Sequence, residues 1–85
     1  MVEREIELKL AGGLEARPVA MLVQVASQYE SSVYIQTGEN KRVNAKSIMG
    51  MMSLGLKGGD EIVVSAEGSD EEEALKSVCD FLGTN

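Results

Sequence analysis

Two short segments of this sequence bring together charged and nucleophilic side chains that could handle a phosphoryl group. Glu15 and Arg17 lie in the first segment, and Lys46 and Ser47 lie in the second. The guanidinium of Arg17 could neutralise Glu15, bind a phosphate on Ser47 or bind an acidic group of a partner. The 85 residues include no histidine, so no imidazole is available to activate a nucleophile.

Ser47 stands at the start of a short apolar segment. It is the natural N-cap of a helix there, because its hydroxyl can accept a hydrogen bond from a backbone N–H two or three residues later. A phosphate on Ser47 would add about −1.5 to −2 charges beside the positive end of that helix. We therefore expect such a phosphate to cost the fold little and to act through its charge. Local chemistry alone favours the simpler role of a cap.

The segment after Ser47 carries more large apolar residues than one short helix can bury against a sheet. They are Ile48, Met49, Met51, Met52 and Leu54. We expect Met51 and Leu54 to lie in the core and the others to reach the surface. Exposed, flexible methionines suit a surface that binds several partners.

Cys79 is the single cysteine and lies in a helical apolar pattern. It cannot form an internal disulfide, and no histidine is present to activate it. The sequence therefore predicts a buried structural thiol rather than a reactive one.

Hydrophobic periodicity predicts seven elements that would position these side chains. Alternating apolar and polar residues indicate four strands, at Val2–Leu10, Ser32–Gln36, Lys41–Asn44 and Glu61–Ala66. Apolar residues at three- and four-residue spacing indicate three helices, at Ala16–Tyr29, Ser47–Leu54 and Ser69–Leu82. We expect Ser69 and Glu72 to form a capping box, and the acidic residues 70–73 to favour the helix dipole rather than to form a docking patch.

The element order is therefore βαββαβα. Strands with one apolar face and helices with one apolar stripe predict an α+β fold, in which three helices lie on one face of a four-stranded antiparallel sheet. A chain of 85 residues has room for one domain, residues 1–85.

The composition limits the kinds of partner. Apolar residues make up 44% of the chain and charged residues 26%, which is typical of a globular protein. The net charge of −6 argues against direct binding of nucleic acid and favours protein partners with basic docking surfaces. No apolar stretch approaches the length of a membrane span, and the N-terminus lacks a signal-peptide core. We therefore expect a cytoplasmic protein that does not bind membranes.

Residues 13–18 read Gly-Leu-Glu-Ala-Arg-Pro. They resemble the Gly-(Ile/Leu)-His-Ala-Arg-Pro motif of the HPr family, the small phosphocarriers of the bacterial sugar phosphotransferase system. Residues 44–55 resemble, over twelve positions, the regulatory-serine segment of HPr proteins from Gram-positive bacteria. The likeness extends from Glu5 to Leu82 and implies the open-faced β-sandwich of that family.

The resemblance implies a regulatory protein of carbon catabolite repression that is not an enzyme and needs no cofactor or metal. HPr kinase/phosphorylase would phosphorylate Ser47 with ATP, and the product would act as corepressor of a LacI-type catabolite control protein. Arg17 and Lys46 would bind the phosphate or the partner. The docking patch that the resemblance implies consists of Ala20, Met21, Ile48, Met49 and Met52.

Glu15 stands where the family has its phosphoryl-carrying histidine. A carboxylate does not supply the ring-nitrogen nucleophile of that pathway, so transfer from phosphoenolpyruvate should be absent. Glu15 could imitate the charge of a phosphohistidine, or could simply favour the dipole of the following helix. Two other functions stay open: a docking module that works without phosphorylation, and a phosphotransferase carrier that uses another group.

The assembly state is also open. The branch of the family that acts with the repressor can form dimers by exchanging its first strand, and Gly12–Gly13 would be a permissive hinge for that exchange. The same glycines suit the turn of a monomer. The sequence is therefore compatible with a monomer or a strand-swapped homodimer.

Overall fold

The computed structural model describes residues 1–9, 16–38, 41–54 and 59–83, without the side chains of residues 16 and 17. These residues form seven elements in the predicted order βαββαβα. The strands are β1 (Val2–Glu7), β2 (Ser32–Thr37), β3 (Lys41–Asn44) and β4 (Glu61–Glu67). The helices are α1 (Ala16–Ser27), α2 (Ile48–Met52) and α3 (Glu71–Gly83).

The strands pair in the order β1-β4-β2-β3, and every pairing is antiparallel. Ile62, Val64 and Ala66 of β4 are at most 1% exposed and form the centre of the helix-covered face. Because successive strand residues point to opposite faces, Glu3 and Glu5 of β1 lie on the other, open face of the sheet. The predicted fold class, an α+β open-faced sandwich, is confirmed.

Several of the predicted element ends shift by one to three residues, among them those of β1, α1 and α2. β1 ends at Glu7 rather than at Leu10, which lies outside the described residues. α1 ends at Ser27 rather than Tyr29, because the N–H of Tyr29 bonds to the carbonyl three residues earlier, at 3.3 Å, and tightens the last turn. α2 is limited to five residues after its cap. No helix in the described part of the chain is long and apolar enough to cross a bilayer.

The apolar stripes of the helices meet the sheet in one core. α3 packs on β1 and β4, and α1 packs beside α3 and α2. Met51, Leu54 and Cys79 are buried, as predicted, with exposed fractions of 0%, 9% and 5%. Burial raises the pKa of the Cys79 thiol, which disfavours the reactive thiolate.

Asp70, directly before α3, holds the turn between α1 and β2. Its carboxylate accepts hydrogen bonds from the N–H groups of Glu30 (3.0 Å) and Ser31 (2.9 Å) and from the hydroxyl of Ser31. Ser31 is 1% exposed and lies so close to Gly68 that an added Cβ there would come within 2.6 Å of its Oγ. The hydroxyl of Ser31, followed by the backbone N–H groups, lowers the pKa of Asp70.

The predicted capping box between Ser69 and Glu72 is wrong by one residue. Glu71 is the residue that reaches back, and its Oε1 accepts from the N–H of Gly68 at 3.2 Å. The hydroxyl of Ser69 instead donates to Oε2 of Glu30 at 3.4 Å. Sequence spacing could not distinguish among three successive glutamates, because each of them has the reach to return to the chain before the helix.

Replacing Asp70 with Asn should destabilise the fold at neutral pH and reduce its sensitivity to acid. The pKa of the carboxylate is lower in the folded chain than its ordinary value of 3.8. Its stabilising contribution is therefore complete well above that value and is lost as the pH falls through the folded pKa. Urea denaturation at pH 7 and at successively lower pH should show wild type and Asp70→Asn converging in acid.

Asp80→Asn is the matched control, because Asp80 is an exposed acid within α3 to which the described residues give no hydrogen bond. Its stability should follow that of the wild type. Equal stability of wild type and Asp70→Asn at pH 7 would contradict the role assigned to Asp70.

Candidate functional site

Hydrogen bonds fix the loop between β3 and α2 ahead of Ser47. The Oδ1 of Asn44 accepts from the N–H of Lys46 (2.8 Å), and the carbonyl of Asn44 accepts from the N–H of Ser47 (3.0 Å). Asparagine favours such a turn because its short side chain can bond to the backbone two residues later. Ala45 is fully buried, and its N–H donates to the carbonyl of Val33 at 2.8 Å. The loop thus anchors Ser47 at the β3 edge of the sheet.

Ser47 is the N-cap of α2, as predicted. Its backbone is extended (φ −109°, ψ 112°), and its Oγ accepts from the N–H of Gly50 at 3.1 Å. Its carbonyl accepts from the N–H of Met51 at 3.0 Å and begins the helix. The residue is exposed, so the hydroxyl is accessible from solvent while it caps the first turn.

Lys46 has a structural contact that the sequence did not reveal. Its Nζ donates to the backbone carbonyl of Tyr29 at 2.8 Å and so ties the loop before Ser47 to the end of α1. The hydroxyl of Tyr29 in turn bonds to that of Ser77 in α3. Periodicity could not predict this contact, because it joins residues far apart in the chain. Among the described residues this is the one hydrogen bond of the ammonium, which has three N–H groups.

Two of the residues singled out in the sequence cannot be placed against Ser47. Glu15 lies outside the described residues, and so does the side chain of Arg17. The backbone of Arg17 lies in the first turn of α1, which begins at Ala16. Their proposed roles therefore stay predictions.

Exposed apolar side chains lie on α1 and on α2, two helices that pack against each other. We call the five residues of this surface the methionine patch: Ala20, Met21, Ile48, Met49 and Met52. Met49 is 84% exposed, and Met21, Ile48 and Met52 are each about half exposed. In the described residues, the only other large apolar side chain so exposed is that of Met1. A concentration of this kind is typical of a protein-binding surface.

The site is a surface rather than a cleft. Two depressions in the described surface lie elsewhere, one at the start of α3 and one between β1 and α3, and neither includes Ser47. Within the described residues no group of three or more acidic or cysteine side chains is placed to hold a metal ion. The arrangement can present a hydroxyl and an adjoining apolar patch to another protein.

Comparison with known proteins gives this surface a family context. The family model "PTS HPr component phosphorylation site" matches residues 2–84. HPr-like protein Crh from Halalkalibacterium halodurans is 46% identical over 82 residues, which cover 96% of this chain and 96% of that protein.

Solved structures agree with the sequence match. The crystal structure of HPr-C-His from Thermoanaerobacter tengcongensis has a TM-score of 0.90 and 51% identity, covering 96% of this chain and 91% of that one. A crystal structure of Crh from Bacillus subtilis, described as a dimer with a swapping domain, has a TM-score of 0.76 and 44% identity, covering 95% and 92%. A match over nearly the full length in family model, sequence and fold means that this chain belongs to the HPr family.

Proposed function

We propose that this chain is a non-enzymatic, cytoplasmic regulatory protein of carbon catabolite repression, controlled by phosphorylation of Ser47. The observation that carries the proposal is an exposed Ser47 hydroxyl that caps α2 next to the methionine patch. HPr kinase/phosphorylase supplies the phosphate from ATP, and the phosphorylated chain acts as corepressor of a LacI-type catabolite control protein. The full-length similarity to HPr-like protein Crh supports this choice within the family.

Ser47 and the methionine patch are suited to recognition by a single partner. Ile48 and Met49 follow Ser47 directly, so a phosphate would lie at the rim of an apolar surface. Such a phosphate adds acceptor oxygens for arginine or lysine side chains of the partner, while the patch supplies apolar area. On this chain, Arg17 and Lys46 are proposed to bind the phosphate or an acidic group of the partner.

A second function rests on the patch alone. Met49 is 84% exposed, so its side chain is accessible to a partner. A docking module for metabolic enzymes would use this surface whether or not Ser47 is phosphorylated. The two functions differ in their dependence on Ser47, which experiment can measure directly.

Exchange of β1 between two copies is compatible with either function. β1 and β3 are opposite edges of the sheet, and α2 packs on β3. A dimer that keeps the register of β1 on β4 would leave Ser47 and the methionine patch unchanged. Light scattering should show a mass of 9.1 kDa for a monomer and twice that value for a dimer. Phosphorylation of Ser47 should proceed equally in either state.

The first prediction concerns the modified residue. Incubation with HPr kinase/phosphorylase and ATP should add one phosphate to the wild type and none to Ser47→Ala, measured by intact mass. Ser53→Ala is the matched control, because Ser53 lies at the other end of α2 and its hydroxyl donates to the carbonyl of Gly50. It should be phosphorylated like the wild type. A wild type that takes up no phosphate, or takes it on another residue, would contradict the proposal.

The second prediction concerns docking. Met49→Asp should weaken binding of the phosphorylated chain to the LacI-type protein about tenfold, because it places an unpaired charge in an apolar contact. Titration calorimetry measures the change. Ser32→Asp adds the same carboxylate at an exposed position of β2 and should bind like the wild type. Equal binding of Met49→Asp and wild type would exclude Met49 from the contact with the LacI-type protein. Binding that does not depend on Ser47 but is lost with Met49→Asp would favour the docking module.

The third prediction concerns phosphotransfer. Phosphoenolpyruvate and the general phosphotransferase enzyme should leave the wild type unmodified, because the carboxylate of Glu15 replaces the ring-nitrogen nucleophile. Glu15→His should gain a phosphate that is visible by intact mass. Stoichiometric transfer to the wild type would overturn the regulatory proposal in favour of an atypical carrier.

A further inference from the structure

Gly50 lies against the hydroxyl that we propose to be phosphorylated. Its N–H donates to the Oγ of Ser47 at 3.1 Å, and a Cβ added to Gly50 would come within 3.2 Å of that same oxygen. The added carbon would also lie 3.5 Å from the Cβ of Ser47 and 3.5 Å from the Cβ of Val43. Any side chain at this position would therefore be placed between Ser47 and β3.

The backbone does not require glycine here. The glycines with positive φ in the described residues are Gly38, Gly59 and Gly68, and Gly50 is not among them. Gly50 is also interior to α2, where alanine is the more favourable residue. Space beside the Oγ of Ser47 is the feature of the structure that accounts for glycine.

An added carbon 3.2 Å from the Oγ of Ser47 is tighter than an ordinary contact, so Ser47 or α2 would have to move by a few tenths of an ångström. The Cβ of Val43 on β3 already lies in van der Waals contact with the added carbon, at 3.5 Å, and leaves little room on that side. Rotation of the Ser47 side chain would relieve the contact but would break the bond from the N–H of Gly50. A shift of α2 would keep that bond but would move Ser47 relative to the rest of the surface.

We propose that Gly50 is a positioning residue for the phosphorylation of Ser47, a role that rests on the proposed function. In the transfer, the Oγ of Ser47 bonds to the γ-phosphorus of ATP, its proton passes to a base of the kinase, and the bond from phosphorus to ADP breaks. In-line transfer needs the oxygen held at a defined place with an open approach. Gly50 supplies both, through its N–H and through its missing side chain.

The kinetic test compares Gly50→Ala with Gly83→Ala. Gly83 is also helical, but a Cβ added there meets only Ile6 Cδ1, at 4.0 Å, so it is the matched control. With HPr kinase/phosphorylase and ATP, Gly50→Ala should lower kcat about tenfold. Its KM for the protein substrate should change less than kcat, because the five residues of the methionine patch are unchanged. Gly83→Ala should match the wild type in both constants.

A second test needs no kinase. If the Oγ of Ser47 is what an added side chain meets, Gly50→Ala should raise the melting temperature more in a Ser47→Ala background than in the wild type. Additive shifts in this double-mutant cycle would contradict the contact on which the inference rests.

The outcomes separate the inference from the proposed function. A wild type that takes no phosphate overturns both. A wild type that is phosphorylated, together with a Gly50→Ala variant of equal kcat, overturns only the role of Gly50.

Discussion

The position of β4 between β1 and β2 is the constraint on which the rest of the structure depends. Its residues pair with Val2–Glu7 on one side and with β2 on the other. Without β4, β1 would therefore have no hydrogen-bonded neighbour in the sheet. This order makes β1 and β3 the two edges and gives α3 its surface on β1 and β4. It also places β1 and β3, the strand that leads to Ser47, at opposite edges of the sheet.

Patterning predicted the parts of the fold that depend on burial. Alternation along β4 and the helical spacing in α3 predicted elements with one apolar face, and Ile62, Val64 and Val78 are buried on those faces. Contacts between polar groups far apart in the chain were not predicted. The acidic start of α3 was attributed to the helix dipole, whereas the carboxylate of Asp70 bonds to Ser31, thirty-nine residues earlier. Periodicity reports which face is buried, and it does not report which polar side chains meet across the fold.

The candidate site shows the same division. The cap at Ser47 and the burial of Met51 were predicted from local rules, and the crowding of apolar residues correctly indicated that some methionines are exposed. The bond from Lys46 to the carbonyl of Tyr29 needs the tertiary structure, because it joins the β3–α2 loop to the end of α1. The space beside Gly50 also needs it, because a glycine in a sequence does not show what a side chain would touch.

In the proposed function, Ser47 would be a switch that works by charge. The side chain of Asn44 bonds to the backbone before Ser47, and the N–H of Gly50 donates to its hydroxyl. Because the chain already has a net charge of −6, one more phosphate would add little to its overall attraction for a basic partner. The change that the proposed function implies is local: the exposed apolar patch would acquire about −1.5 to −2 charges at its rim, which a cationic side chain of a partner could pair. Selectivity would then depend on a partner that offers an apolar contact and a basic group at one spacing. The separation of Ser47 and Met49, two residues apart at the start of α2, would therefore matter more than the total charge.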